Sequence, residues 1–488
     1  MTTFTRRAVL KTAAVGALAA AAPVLRARAQ TPVLPAPSSL MSTLTTYMAG
    51  AASRVLPPEA MEHAKHHILD TFAAMISGSE LPPGQAALKF ARAHGGKGTA
   101  TVVASNLLAG PIEAALANGV LAHSDETDDS HSLSASHPGA PIVSAALAAG
   151  EEFDVDGDRF LRAVTLGYDI GPRVTMAMGG VEFRRASHMS THSIAGVFGA
   201  AAAAACAAGL TAQEMRWVLD YTAQQSSGIA AWARDTDHIE KAFVFGGMPA
   251  RNGVTAALLV QLGWNGVNDV FAGADNFFQA YAPKARPEML TEGLGTRFEV
   301  TRTDIKKWTV GSPIQGPLDA IESMRTKHPF EADQVKSVAV RLAPSVAAVV
   351  DNRDMPDICL QHMVAVMLLD GTASFKAAHD KARMTDAGIL RQRAKVQLVN
   401  HEAFIPLLPV RVAEVEIALT DGTRLTERVT SVRGTPRNAM TRKEVIDKAR
   451  DLIDPVLGEA KAARLVETVF ALESVTKVRG LRPLLQRA

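Results

Sequence analysis

Cysteine is nearly absent: the 488 residues hold two, Cys206 and Cys359. They form no CxxC and no zinc-type spacing, which removes thioredoxin-like redox chemistry and zinc ribbons, and Cys206, inside an alanine run, reads as a small buried hydrophobe. Charge of one sign is also lacking, for the formal net charge is +2 and the basic residues are not clustered. So small a surplus leaves no footprint for nucleic acid, and any positive charge that matters has to be local, inside a pocket. Beyond the amino terminus no long apolar segment runs free of breakers, so no transmembrane helix is expected. The glycine-rich stretch at Gly246-Gly247 contains neither GxGxxG nor GxxxxGK[ST], so nucleotide binding is not supported.

What is present is an ordinary globular composition, 47% hydrophobic and 20% charged, in a chain long enough to predict two domains. The first residues read as an export signal. Thr5-Arg6-Arg7-Ala8-Val9-Leu10-Lys11 has the twin-arginine pattern, an Ala-rich apolar stretch follows, and Ala27-Arg28-Ala29 is a small-x-small cleavage site. The apolar run is shorter than the roughly 20 residues a membrane anchor needs. Residues 1–29 are therefore expected to be a signal peptide, and the twin-arginine route predicts a periplasmic protein with no membrane association once the signal is removed.

The fold expected is mainly α: a large, discontinuous all-α domain with a smaller α+β domain inserted. Helical periodicity fills 38–297, with Met61, Ala64, Ile68, Phe72 and Met75 on one face of a helix opened by Pro57-Pro58-Glu59 and ended by Gly78. Within 298–437 the segments Val335–Leu342, Val396–Val399 and Val412–Leu419 alternate as half-buried strands do, and Asp421-Gly422 turns into Arg424–Val432. Helical pattern returns in 438–488, where Thr441 and Glu444 form a capping box, and these last helices are expected to fold back onto the first part.

The densest polar cluster is His123-Ser124-Asp125-Glu126-Thr127-Asp128-Asp129-Ser130-His131, followed by His137-Pro138-Gly139. Functional groups concentrate on loops held by rigid elements. His137, before a proline, stands at a helix amino terminus, where an anionic ligand is favoured. Two other readings compete: an exposed acidic loop with capping residues, and a metal site from His123, Asp125, Asp128 and His131, whose spacing matches no known motif.

Asn118-Gly119, His123 to His131 and His137-Pro138-Gly139-Ala140 resemble the signature blocks of the MmgE/PrpD family, which includes 2-methylcitrate dehydratase and cis-aconitate decarboxylase. Gly196-Val197-Phe198-Gly199, Ile305-Lys306 and Leu368-Leu369-Asp370-Gly371 extend the resemblance over most of the chain. The resemblance implies a helical domain with a smaller lid domain, a homodimer, and chemistry without a metal or other cofactor. Carried over residue by residue, it implies catalytic roles for His137, Lys306, Lys241 and Glu126, the last standing where relatives carry aspartate. It implies a further catalytic histidine, His192 or His188, with His192 favoured because it opens its own Ala-rich helix. Ser130 keeps a hydroxyl where relatives have threonine, and His362 replaces a lid tyrosine; both, with Asp125, are substrate-binding candidates. Arg251, and with it Arg234, is a candidate for holding substrate carboxylates through a planar fork, the alternative being pairing with Asp235 and Asp237.

The activity implied is a lyase on a small di- or tricarboxylate, a carbon–oxygen hydro-lyase with decarboxylation as the other option. Lys306 and Lys241 stabilise charge on a carbon next to a carboxylate, and His137 moves the proton. Export, and the departures at Glu126, Ser190 and His362, argue against 2-methylcitrate itself. Two other classes are an isomerase or epimerase of a similar acid and a non-catalytic periplasmic carboxylate-binding protein.

Overall fold

Small side chains set the helical architecture, because they let helix axes approach closely. The helix Thr191–Ala208 carries an alanine run from Ala200 to Ala205 and is buried along almost its whole length. It packs against the helices Gly157–Met178, Gly139–Glu152 and Met248–Gln261. The computed structural model describes residues 36–487, so the expected signal peptide lies outside the described residues. Among the described residues helix accounts for 62% and strand for 8%, a mainly α fold.

Most helix limits follow local chemistry. Pro58–Gly78 starts with proline at its first position; of the face read from periodicity it buries Ala64, Ile68, Phe72 and Met75 completely and leaves Met61 half-buried. Arg442–Leu457 starts with the Thr441–Glu444 capping box. It continues past the expected end near Leu452 to Leu457, with Pro455 inside its last turn. A short antiparallel pair, Ala100–Thr101 with Leu108–Ala109, interrupts the helical region where no strand is expected.

Two helices, Thr191–Ala208 and Ile239–Gln261, are long and apolar enough to cross a bilayer by length and composition, though each is interrupted by glycine. Protein already covers 94% of the first and 67% of the second, so both serve as core helices here.

The apolar side chains form two main clusters. One takes residues from Met41 to Ile305 and again from Met440 to Leu485. The second takes residues from Trp308 to Leu425 and surrounds a four-stranded sheet ordered Val396–Asn400, Val335–Leu342, Ala413–Leu419, Arg424–Val429. The first two strands are parallel and the rest antiparallel. Gly422, at φ +95°, makes the hairpin turn between the last two, and Leu419 N–H bonds to Thr423 O at 2.8 Å. Each strand agrees with its alternating pattern to within a residue, except that the last ends at Val429 instead of Val432.

Cys206 and Cys359 are both buried free thiols. The carboxy-terminal helices return to the first cluster. There Lys448 on Arg442–Leu457 pairs with Asp70 at 2.6 Å and donates to Thr127 O at 3.0 Å, bracing the polar 123–131 loop from behind.

Candidate active site

The 123–131 loop is not a solvated turn, for every side chain from His123 to His131 is buried. Burial on that scale demands partners, and the loop supplies them internally. Asp128 holds two imidazoles: its Oδ2 lies 2.8 Å from His123 Nδ1 and its Oδ1 3.0 Å from His137 Nδ1. Asp129 faces the other way, toward His67 Nδ1 at 2.9 Å, and accepts from Tyr168 OH at 2.5 Å and from Gly139 N–H at 2.9 Å. The amino terminus of Gly139–Glu152 is thus already occupied by an anion of the chain itself, Asp129, which corrects the expectation that a ligand would sit there.

Two lysines converge on the same loop. Lys241 Nζ donates to Glu126 Oε1. Lys306 Nζ donates to the Glu126 carbonyl at 2.8 Å, lies 3.6 Å from Glu126 Oε2, and is 3.5 Å from Asp128 Oδ1. His137, Lys306 and Lys241 therefore meet through two shared carboxylates. Lys241 reaches this place because its helix continues as a π-helical turn, Phe243–Gly247, that presses on Pro111–Ala122. The contact is glycine to glycine: a Cβ on Gly246 would stand 1.9 Å from Gly119 O. One-turn π segments recur at functional sites.

The π turn also aims Phe245 into the cluster. Its ring stacks on His192 with centroids 3.8 Å apart and on His123 at 4.6 Å. His192, second residue of its helix after the Ser190 cap, stands 5.2 Å from the His137 ring and 5.5 Å from Trp232. His188, by contrast, is exposed and left-handed at φ +59°.

The charges are sharply sorted. Burial opposes ionisation of Glu126, yet Lys241 and Lys306 hold its carboxyl well below the usual range. Burial likewise opposes ionisation of Asp128, which His123, His137 and Lys306 hold well below its usual range. Burial, helped by Lys306, lowers His137 to about 4 against the pull of Asp128. Burial, with His137 and Arg184 nearby, keeps His192 far below its usual value. The result is that His137 and His192 are neutral beside paired ions. With Nδ1 on Asp128, the His137 ring keeps Nε2 free of any protein hydrogen bond among the described residues.

Four of the remaining expected residues have contacts of their own within the protein. Asp125 is engaged within the protein, 2.9 Å from His379 Nε2 and hydrogen-bonded to Thr127. Ser130 pairs with Asp304 through the backbone and lines a neighbouring cavity. Arg251 bonds to Asn252 Oδ1 at 3.1 Å and lies over Phe243. His362 is buried in the second apolar cluster, its charge environment set by Arg393, Arg383 and Asp380. The second cluster contributes instead His379 and Asp357. His379 is raised to about 9, since Asp125 and Asp357 outweigh burial, and burial raises Asp357 to about 6. Those two residues lie in no pattern that sequence alone singles out; His238, with its ring 5.2 Å from that of His123, comes from the polar stretch Trp232 to His238.

The four-ligand metal set does not assemble, for His131 turns to Ser134 and Glu299 while Asp125 turns to His379. His123, Asp128 and His137 do bring ligand-capable atoms within 4.8 Å of one another. The Lys306 ammonium, 3.5 Å from Asp128, repels any divalent ion placed there.

Residues 42–290 match the MmgE/PrpD N-terminal domain and residues 308–473 the MmgE/PrpD C-terminal domain. The chain is 26% identical over 463 residues to a cis-aconitate decarboxylase-like protein of Aspergillus oryzae, covering 88% of this chain and 94% of that one. It is 23% identical over 482 residues to cis-aconitate decarboxylase of Aspergillus terreus, covering 92% and 96%. To cis-aconitate decarboxylase of Mus musculus it is 25% identical over 400 residues, covering 77% and 78%. Matched by both family domains along most of its length, the chain belongs to the MmgE/PrpD family.

Proposed function

We propose that this protein is a cofactor-independent lyase that removes water or carbon dioxide from a small di- or tricarboxylate. The observation that carries the reading is the convergence of His137, Lys306 and Lys241 on Glu126 and Asp128. Neutral His137, oriented by Asp128, presents Nε2 as a base. It takes a proton from the carbon beside a substrate carboxylate, and the electron pair left behind spreads onto that carboxylate. Lys306 and Lys241 lie where that charge gathers, and in a site shielded from water such fixed cations supply the largest catalytic term. Hydroxide departs as water after accepting the proton that His137 took from the carbon, with His192, 5.2 Å from the His137 ring, as a further imidazole in the cluster. In decarboxylation the carbon–carbon bond breaks instead, carbon dioxide leaves, and the carbon takes up a proton that His137 Nε2 relays from solvent water. The relatives' names support the carboxylate substrate and the lyase class.

The twin-arginine pattern supports a periplasmic site of action, and the family resemblance supports a homodimer; both belong to the same proposal. A thermal-shift screen of di- and tricarboxylates, with product masses for each hit, tests it. Loss of water or carbon dioxide supports the lyase. Solvent deuterium uptake without mass loss turns the reading to an isomerase or epimerase, and binding without either makes the protein a carboxylate binder.

A further inference from the structure

The lysines at the centre are already matched. Lys241 and Lys306 face Glu126 and Asp128, two cations against two carboxylates, so an incoming polyanion finds no spare positive charge there. Spare charge lies next door, in a cavity of about 310 Å³ that has Ser130 and Lys306 in its wall. Arg302, Lys306, Arg411, Arg433 and Arg437 line it against a single carboxylate, Asp304. Arg302 is bound to Glu299 at 3.2 Å, and Arg433 grips Glu444 with Nε 2.9 Å from Oε1. Among the described residues, the guanidinium groups of Arg411 and Arg437 form no hydrogen bond and no ion pair; Asp304 and Glu126 act on Arg411 only through space. Asp304 competes weakly, since it accepts from Ser132 at 3.2 Å and Ser130 at 3.5 Å.

The cavity is tied to the centre by backbone. Ile305 N–H donates to Gly434 O at 2.9 Å, which holds the segment bearing Arg433 and Arg437 beside Lys306. Gly434 sits at φ +94°, and a Cβ there would meet Ile305 O at 1.7 Å, so glycine is required at this approach.

We propose that this cavity is a second carboxylate subsite in which Arg411 grips a carboxylate remote from the reacting carbon, making Arg411 the residue that selects polycarboxylates over simpler acids. The planar fork binds a carboxylate by two parallel hydrogen bonds, and such charge-assisted pairs are the strong ones. Arg437, exposed at the mouth, draws the anion in. The subsite rests on the lyase reading only for which carbon reacts.

The test is calorimetric binding of propane-1,2,3-tricarboxylate and of glutarate, neither of which carries a hydroxyl or double bond to eliminate. Wild-type protein is compared with Arg411→Ala and the near-isosteric Arg411→Gln, each checked for an unchanged melting temperature. We expect the triacid to weaken about tenfold or more in both variants, and glutarate to weaken less. Equal triacid affinity in wild type and variants overturns the subsite, and leaves the lyase reading standing if wild type still forms product. Equal weakening of both acids, or no triacid binding to wild type, also overturns it. Selective loss in the variants, with no product from any unsaturated or hydroxylated triacid on wild type, keeps the subsite and removes the lyase reading.

Discussion

Asp128 fixes the His137 ring by its Nδ1 at 3.0 Å, and this one bond decides which nitrogen of the imidazole faces chemistry. The same carboxylate carries His123 on its other oxygen at 2.8 Å and has Lys306 at 3.5 Å. Base, orienting anion and electrostatic partner therefore form one network, whose members act as a unit.

His137→Ala is expected to lower turnover by about 10²–10⁴-fold while carboxylate binding persists. Asp128→Asn, which keeps shape but removes the anion, is expected to cost nearly as much, and the double variant little more than either single one, as for groups that work together. Steady-state kinetics on the three variants, with melting temperatures as a fold control, checks this.

Lys306→Ala and Lys241→Ala are each expected to lower kcat by about 10²–10³-fold, the size seen when a preorganised charge partner is removed. Lys306 is buried between Glu126 and Asp128, so its loss removes a cation that two buried carboxylates share and lowers the melting temperature more than loss of Lys241.

Two pH windows follow from the shifted groups. His137 is lowered from 6.5 to about 4, so the unfolded chain binds the extra proton first; the stability this group contributes is full above 6.5 and is lost as pH falls toward 4. His192 and His238 shift in the same direction and add to that acid-side loss. His379 is raised from 6.5 to about 9, so its contribution is full below 6.5 and is lost as pH rises through 9. Its pairing with Asp125 is worth at most on the order of 3 kcal/mol. His379→Gln should therefore melt well below wild type at pH 6, with the gap closing by pH 10 on a melting-temperature profile.

Gly246→Ala is expected to destabilise by about 1–3 kcal/mol, because the new methyl group meets the backbone of Gly119. Since that contact seats the π turn behind Lys241, kcat should fall even where the protein remains folded, as urea melts alongside kinetics can separate.

Much of this arrangement is legible in the amino-acid order alone. Periodicity finds the helix Pro58–Gly78, alternation finds the strands of the second cluster, and the density of acids and histidines marks the 123–131 loop. Local patterns of that kind are set by burial of one face, which leaves a period in the chain. What escapes are contacts made across long sequence separations by single residues. His379 against Asp125 and Arg411 beside Asp304 leave no period and no motif, and Asp357 reaches the site from a short turn before its helix. Arg251 and His362 mislead for the same reason, since a charged or histidine residue between apolar neighbours does not reveal which side it faces. The partner of the Gly139–Glu152 amino terminus is likewise hidden, because Asp129 reaches it only once the loop closes on itself.

The most direct test of the central claim is the mass of the product formed from each carboxylate that binds, measured for wild type and for Lys306→Ala. The account predicts that wild type releases water or carbon dioxide from at least one di- or tricarboxylate and that Lys306→Ala binds the same acid yet leaves it almost entirely unchanged. Product formation by Lys306→Ala at the wild-type rate would contradict it.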